Sequence, residues 1–578
     1  MKKILFSLMF IMMLLIFVAC GNENVTVDSP LDNDDSTSLT EDADVNADKI
    51  CISSVLGLNE QIYVSLLRPA DGDCTVSYKE MGAEDFTAID KELIIDDGDI
   101  LNCYILGLKK GVYDVRIEIG EGENFARATV SGIDVEKQDR SGYAHFQREE
   151  GIGGYNNDGT VKENAKIIYV SNETKNTVTL DVNGTTYTGL VAILQAKEQM
   201  EEPLIVRVLD RISSNQFKPE YKLPANGNEI TDEYLKDLFA SDIGENLAGL
   251  PVVYQGKLLD KDYEYVTTPD GIELVKEIEE KSPYIDYDIW GTTGVISMLN
   301  TKDVTIEGVG SKAGFFQVTF YFEHCNSIDI SNLTFSEYSE HALDFLSGGR
   351  TQEECTSNGW YWVHNNTFNH GQNYWDKDYP KSICMRNMRN ATLSYNKFLN
   401  QDKVVLFGGW EYDYQLNVTL HHNYYLNCSQ RTPLSRESNI HNYNNYIADC
   451  SRGPSPRTST YLFSEANYFE NVGEAYYVSG TETWGAVKSW GDIYFNCDET
   501  EKITMVTARD EVVENDCSPD GITDYSKFDT DPALFYYDDE NKCSDVELML
   551  EAKDVPEFVS KHAGAGILTR MDFPVVAE

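Results

Sequence analysis

The chain has 578 residues, and 96 acidic residues against 47 basic ones give a formal charge of −49. That balance argues against nucleic acid as a partner, because phosphate backbones demand basic surfaces, and against docking on anionic membranes. Hydrophobic residues at 41% and charged residues at 25% are globular composition, which excludes disorder for most of a chain long enough for two or three domains.

Residues 1–20 read as a secretion signal. Lys2 and Lys3 open it, and an apolar run follows from Ile4 to Ala19, too short for a comfortable membrane span. The run ends in Val18-Ala19-Cys20-Gly21, which resembles a bacterial lipoprotein cleavage box. Cys20 is therefore the expected lipidation site, and the expected location is the cell envelope or extracellular surface, held by a lipid at Cys20. Residues 21–48 are acidic and hold Ser, Thr and Asn, a solvated linker with nothing to bury. The eleven Cys after Cys20 match no metal motif and no dense disulfide scaffold, so several are expected in the core.

Residues 49–143 read as a small β-sandwich. Tyr113, Val115, Ile117 and Ile119 alternate with Asp114, Arg116 and Glu118, a strand with one buried face. Similar runs at Ile62–Leu67, Cys74–Tyr78 and Asp99–Ile105 are separated by turn residues. The pattern resembles an immunoglobulin-like or fibronectin type III module, a spacer or sugar-binding accessory.

Residues 144–578 carry a repeat. Asn332-Leu-Thr-Phe335 is followed by Asn366-Thr-Phe368, Asn396-Lys-Phe398, Asn423-Tyr-Tyr425, Asn445-Tyr-Ile447 and Asn467-Tyr-Phe469, at Asn spacings of 34, 30, 27, 22 and 22. A floor of 22 residues with insertions is the signature of stacked coils. The expected fold is all-β: a parallel β-helix preceded by the sandwich, with Asn side chains stacking at the corners. Leu190–Met200 reads as a capping helix leading into a strand at Leu204–Leu209. Val546–Lys553 and Pro556–His562 read as short helices at the far end.

Between Asp376 and Arg457, Lys and Arg outnumber Asp and Glu inside this acidic chain, which points to an anionic ligand. This island holds Asn400-Gln-Asp-Lys403, Val418-Thr-Leu-His-His-Asn423, Arg431-Thr-Pro433-Leu-Ser-Arg436 and Ile440-His-Asn-Tyr-Asn-Asn445. In this order and spacing the segments resemble the core of the pectate lyase family 1 enzymes, of the pectate/pectin lyase superfamily. Trp362-Val-His-Asn-Asn-Thr-Phe368 and Gly154-Tyr-Asn-Asn-Asp-Gly159 extend the match.

The resemblance implies a right-handed single-stranded parallel β-helix, pectin lyase-like, and a polysaccharide lyase cleaving pectic homogalacturonan by β-elimination. It implies Arg431 as the base that takes the C5 proton, with Lys403 and Arg436 holding substrate acid groups. The base must remove a proton beside a uronate carboxylate, on which charge then builds, so fixed cations are required. The implied partner is an anionic pectic polysaccharide, with membrane contact only through the lipid anchor and the chain acting as a monomer.

The resemblance also implies Ca²⁺, but the usual ligand positions fall on His341, Tyr379 and Cys384, which are not carboxylates. Asp344, Asp376 and Asp378, with Glu353 and Glu354, are near substitutes, and Lys377, Lys381 or Arg386 could do the ion's electrostatic work instead. Trp360, Tyr361, Tyr374, Trp375, Trp410 and Tyr412 fall on predicted loops beside the island; flat aromatics suit sugar faces, and Trp375 and Trp410 are the expected substrate contacts. The competing readings are a polygalacturonase, whose Asn-Thr-Asp and Gly-His-Gly elements are absent, and a non-catalytic surface β-helix that binds glycan after losing the calcium site.

Overall fold

A computed structural model describes residues 44–69, 74–145, 148–213, 295–316, 318–336, 338, 341–346, 359–369, 381–409, 415–480, 485–498, 503–508 and 549–571, and the backbone of short strands between 252 and 272. Cys20 lies outside these residues. The chain forms two compact units, one of residues up to 106 with 110–136, the other of 107–109 with 137 onward.

The first unit is two antiparallel four-stranded sheets. The strand Gly111–Ile119 buries Tyr113, Val115, Ile117 and Ile119 and turns the intervening residues outward, as its alternation requires. It pairs with Cys74–Glu80 on one side and Ala126–Val135 on the other.

The second unit is a parallel β-helix. Its coils contribute strands to three parallel sheets, of eleven, nine and seven strands among the described residues. One coil runs Lys381–Arg386 in the seven-stranded sheet, Met388–Ser394 in the eleven-stranded sheet and Lys397–Leu399 in the nine-stranded sheet. The next runs Val405–Phe407, Gln415–His421 and Tyr424–Leu426. Leu343, Ile383, Val405, Leu393, Leu420, Phe368 and Phe398 point inward into one continuous apolar core. Phe335, Phe368, Phe398 and Tyr425 stack face to face at 4.8–5.1 Å, one per coil.

The repeated Asn is a hydrogen-bond ladder. The backbone N–H of Asn366 donates to Asn396 Oδ1 at 3.1 Å, Asn396 to Asn423 at 3.0 Å, Asn423 to Asn445 at 2.9 Å and Asn445 to Asn467 at 2.8 Å. The residue before each ladder Asn is left-handed: Asn365, Tyr395, His422, Asn444 and Ala466 have φ between 48° and 53°. Only a tight corner demands that of ordinary residues, and the ladder satisfies the backbone groups there. Asp492 Oδ1 ends it, accepting from the backbone N–H and Nδ2 of Asn467 at 2.7 and 3.1 Å.

Asn332 departs from the expected repeat. Its φ of 54° puts it at the left-handed position, and Leu333 fills the ladder slot, donating to Asn366 Oδ1. The reason is spacing: two residues separate Asn332 from Phe335, where the true ladder positions have one.

Helix Leu190–Ala196 buries Leu190, Ile193 and Leu194 against the first coils, and the strand Leu204–Val208 follows. At the C-terminal end the helix Val555–His562 packs against the stack, as expected of Pro556–His562. It lies along the flank, where Leu550, Val555 and Val559 pack against Tyr424, Tyr446 and Tyr468 from three successive coils. The chain then passes back over earlier coils, Gly564 N–H donating to the Tyr395 carbonyl and Gly566 N–H to Asn332 Oδ1. Val546 lies outside the described residues.

Residues 139–145 and 148–154 form a strap over the outer face of the eleven-stranded sheet. Its backbone N–H groups at Tyr143, Ala144, Gly153 and Gly154 donate to the hydroxyls of Thr419, Thr392, Ser327 and Thr305 at 2.9–3.0 Å. Gly153, at φ 59°, lies so close that a Cβ would meet Thr305 Oγ1 at 2.1 Å. Asp139 pins the start of the strap, accepting from Ser141 N–H at 3.0 Å and Tyr395 OH at 2.7 Å, with His421 Nδ1 at 3.7 Å.

This strap and the coils beneath it bury histidines in the neutral state. Burial outweighs the attraction of Asp139 and pushes His421 down from 6.5 to about 4; burial pushes His145 and His422 down as well. Unfolded, these groups bind protons near pH 6.5; folded, they do not until the pH is far lower. The unfolded state then binds more protons across that window, so stability falls as pH drops. For His421 the gap corresponds to about 3 kcal/mol at about 1.4 kcal/mol per unit. The urea midpoint is expected to be clearly lower at about pH 5 than at about pH 7, and equal midpoints would show that these histidines are already charged in the fold.

Candidate active site

The outward face of the seven-stranded sheet carries the cations. Alternation sets which residues face out. Leu343, Phe345, Ile383, Met385, Val405 and Phe407 point into the core, so Asp344, Cys384 and Leu406 point away from it. Register then fixes three rows across successive coils. In the first, His341 pairs with Lys381, and one coil further Lys403 pairs with Gln430, beside Arg431. The middle row is Asp344, Cys384, Leu406, Leu434 and Ser455. The third runs Leu346 and Arg386, then Gly408, Arg436 and Arg457: Arg436 N–H donates to the Phe407 carbonyl and Arg457 N–H to the Ser435 carbonyl.

The result is an apolar strip of Cys384, Leu406 and Leu434 flanked by cations on both edges. Lys381 and Lys403 stand on one side, Arg386, Arg436 and Arg457 on the other. Neighbouring strands are about 4.8 Å apart, so cations on four successive coils span about 14 Å. A flat ring can lie on the strip with acid groups reaching either edge.

The sequence-predicted cations therefore meet on one face. Arg431 sits at φ 65°, its carbonyl accepting the Val405 N–H at 2.8 Å. Its Nε is buried without a hydrogen-bond partner, and no carboxylate pairs with its guanidinium among the described residues. Burial, then Arg457 and Arg436, lowers its affinity for the proton. Arg436 donates to the Gly408 carbonyl at 2.9 Å, which fixes its reach along the edge. Lys403 is mostly buried, with Asp402 Oδ2 at 4.0 Å. Burial, with Arg431 and Lys403 beside it, pushes Lys381 down to about 8.

Arg457 is the residue that sequence reading missed. It stands next to Arg436 one coil on, and its Nε is also buried without a partner. The signal was available: Arg457 follows Arg436 by 21 residues, close to the shortest coil length. Arg452, nearby in sequence, differs because Glu474 pairs with it at 2.6 Å.

The expected metal positions give a mixed result. His341, Asp344 and Cys384 do converge, their ligand atoms within 4.8 Å of one another and all buried. Ca²⁺ takes six to eight oxygens, and this set offers one imidazole, one thiol and one carboxylate. Asp344 is already held by Arg386, whose Nη2 lies 3.2 and 3.0 Å from its two oxygens. Burial raises the Cys384 thiol, keeping it protonated. The described donors do not fit Ca²⁺. Tyr379, Asp376, Asp378, Glu353, Glu354 and Lys377 lie outside the described residues.

The aromatic expectation is corrected in part. Tyr361 is buried in the coil interior, its OH donating to the Cys325 carbonyl. Trp360 packs near Trp362, Ala144 and Ile152 beside the strap, with Arg148 and Arg389 over its ring. Both sit on the strand Gly359–His364 of the eleven-stranded sheet, not the seven-stranded one. Tyr374, Trp375, Trp410 and Tyr412 lie outside the described residues.

Comparison with known proteins gives a consistent picture. A family described as pectate lyase matches residues 258–502. The pectate trisaccharide-lyase of Bacillus licheniformis is 27% identical over 255 residues, covering 41% of this chain and 73% of its own length. A pectate lyase of Bacillus subtilis is 30% identical over 188 residues, covering 28% of this chain and 43% of its own. Among solved structures, a pectate lyase from Bacillus sp. N165 in complex with trigalacturonate aligns with TM-score 0.43 at 18% identity, over 74% of this chain and 99% of that one.

Proposed function

We propose that this chain is a polysaccharide lyase that cleaves pectic homogalacturonan by β-elimination, with Arg431 as the base. The similarity to pectate lyases supports the lyase class. The observation that carries the finer reading is the convergence of Lys403, Arg431 and Arg436 on one cation-edged strip, with no acid paired to Arg431 among the described residues.

In this reading a uronide chain lies on the strip of Cys384, Leu406 and Leu434. Lys403 and Arg436 hold its carboxylates from opposite edges. Arg431 takes the proton from the carbon beside one carboxylate. The electrons of that C–H bond form the new double bond, and the glycosidic oxygen leaves. Charge building on the carboxylate meets cations already in place, which cost no reorganisation at that moment. A guanidinium is a poor base at its ordinary proton affinity, and burial among like charges is the lever that improves it. An envelope location, lipid-anchored at Cys20, rests on the N-terminal pattern.

The test is release of unsaturated uronide ends, followed by ultraviolet absorbance, on polygalacturonate and on methylated pectin. Signal on either supports the reading, and none on both would reject it. Arg457 supplies a sharper check. Replacing Arg457 by Gln removes the leading like charge beside Arg431. The rising limb of the rate–pH profile is expected to move to higher pH, lowering the rate at a fixed pH on that limb by about tenfold for one unit. An unmoved profile would mean that Arg457 exerts no hold on the base.

A further inference from the structure

We propose that Lys381 and the Arg386–Asp344 pair stand where the resemblance puts Ca²⁺, so that the elimination runs without a divalent ion. The inference rests on the elimination reading above and concerns what replaces the ion in it.

The first observation is the donor set. An oxygen-seeking cation needs several carboxylates or carbonyls turned toward one point. On the outer face of strands His341–Leu346 and Lys381–Arg386 the turned-out side chains are His341, Asp344, Leu346, Lys381, Cys384 and Arg386. One carboxylate stands among them, and two nitrogen cations stand with it.

The second is how that carboxylate is used. Arg386 reaches both oxygens of Asp344 from the adjacent coil, at 3.2 and 3.0 Å. Both members of the pair are largely removed from solvent, the Asp344 side chain 10% exposed and that of Arg386 26%. A divalent ion would have to break this pair and then sit beside a second cation.

The third is the place of Lys381. It opens the same strand as Cys384, one coil before Lys403 and in the same row. It is 7% exposed, at the edge of the strip rather than out in solvent. A uronate carboxylate that reaches Lys403 from the strip also comes within the field of Lys381. A fixed ammonium there can do what a bridging ion does: offset the substrate charge and steady the charge that builds in the transition state. Arg386, spent on Asp344, keeps the lone acid from repelling the substrate.

The experiment uses the full chain after exhaustive chelation. The rate on polygalacturonate with chelator is expected to stay within about twofold of the rate with added Ca²⁺. Lys381→Ala is expected to lower kcat/KM by about a hundredfold, and Lys381→Arg to recover most of it. Ca²⁺ alone is expected to leave the Tm of the chelated protein unmoved, because no ion binds the folded state. Loss of activity on chelation with recovery by Ca²⁺ would overturn the proposal, and so would a rise in Tm with Ca²⁺. A rise with Zn²⁺ alone would overturn it differently, by making His341, Asp344 and Cys384 a transition-metal site. Absence of product under every condition would reject the elimination reading, and the Tm titration would still decide between a fixed cation and an ion at this place.

Discussion

Arg431→Ala is expected to lower turnover on polygalacturonate by at least about a thousandfold, within the range that loss of a general base together with a transition-state cation produces. The strip beneath the substrate and the cations at Lys403, Arg436 and Arg457 are untouched by that change. Binding of a uronide oligomer, read by titration calorimetry, should therefore weaken by no more than about tenfold. The split between turnover and binding is the informative part. A residue that merely tied two coils together would instead lower the melting temperature and leave the rate of the remaining folded protein alone. Arg431 makes no ion pair among the described residues, so its removal should spare stability. The wild-type rate should climb with pH toward about 8, because the base works only when it has lost its proton and burial beside Arg457 and Arg436 lowers its hold on that proton, and should level off above it as Lys381 loses its own charge. A variant that keeps more than a tenth of wild-type turnover would assign the proton transfer to another group.

Asn423→Ala is expected to destabilise the β-helix by about 4 kcal/mol. Asn423 is fully buried, and its side chain makes four hydrogen bonds, one of them from Nδ2 to Asn445 Oδ1 at 2.9 Å. Its Oδ1 accepts from the Asn396 backbone N–H at 3.0 Å and from Asn396 Nδ2 at 3.1 Å, while its Nδ2 donates to the Leu393 carbonyl at 2.8 Å. Truncation takes the amide from the Asn396 backbone N–H and the Leu393 carbonyl in a place that water does not reach, while Asn396 Nδ2 keeps the Val363 carbonyl and Asn445 Oδ1 keeps the backbone N–H of residue 423; each orphaned group costs about 1–3 kcal/mol. Coils contact mainly their neighbours, so the damage should be greatest at this junction. Chemical denaturation should show an earlier midpoint, and amide exchange should show lost protection first around 393–445. A change below about 1 kcal/mol would mean that the ladder is dispensable.

The ladder was legible because one residue type recurs beside one aromatic, and only a stack of coils makes such a recurrence useful. It was misread at Asn332, where an extra residue before Phe335 shifts the Asn from the ladder to the left-handed corner. The site was legible to the same extent. Lys403, Arg431 and Arg436 lie within 34 residues of one another in a distinctive spacing, and they do share a face. Asp344 and Arg386 are 42 residues apart and meet only through strand register, so pattern alone gave no sign that the nearest acid was already occupied. Trp360 and Tyr361 were misplaced for a related reason: an aromatic-rich stretch reads as a loop until register turns one ring inward and sets the other beside the strap. The C-terminal helix has the right length, but its docking partners, three tyrosines a coil apart, are visible only in three dimensions.

The Asn ladder also has a sense of direction. Every side-chain amide in it turns its oxygen toward the preceding coil and one Nδ2–H toward the following one, while the other Nδ2–H reaches back to a carbonyl of the preceding coil, so the C=O dipoles add head to tail as they do in an α-helix. Their positive end arrives at Asp492, a partly buried carboxylate further clasped by the hydroxyls of Ser464 and Ser489. The stack is therefore an electrically polar rod whose terminal anion is matched to it, and duplicating an interior coil would lengthen the rod without disturbing that match, whereas adding one beyond Asp492 would strand a buried charge in mid-stack.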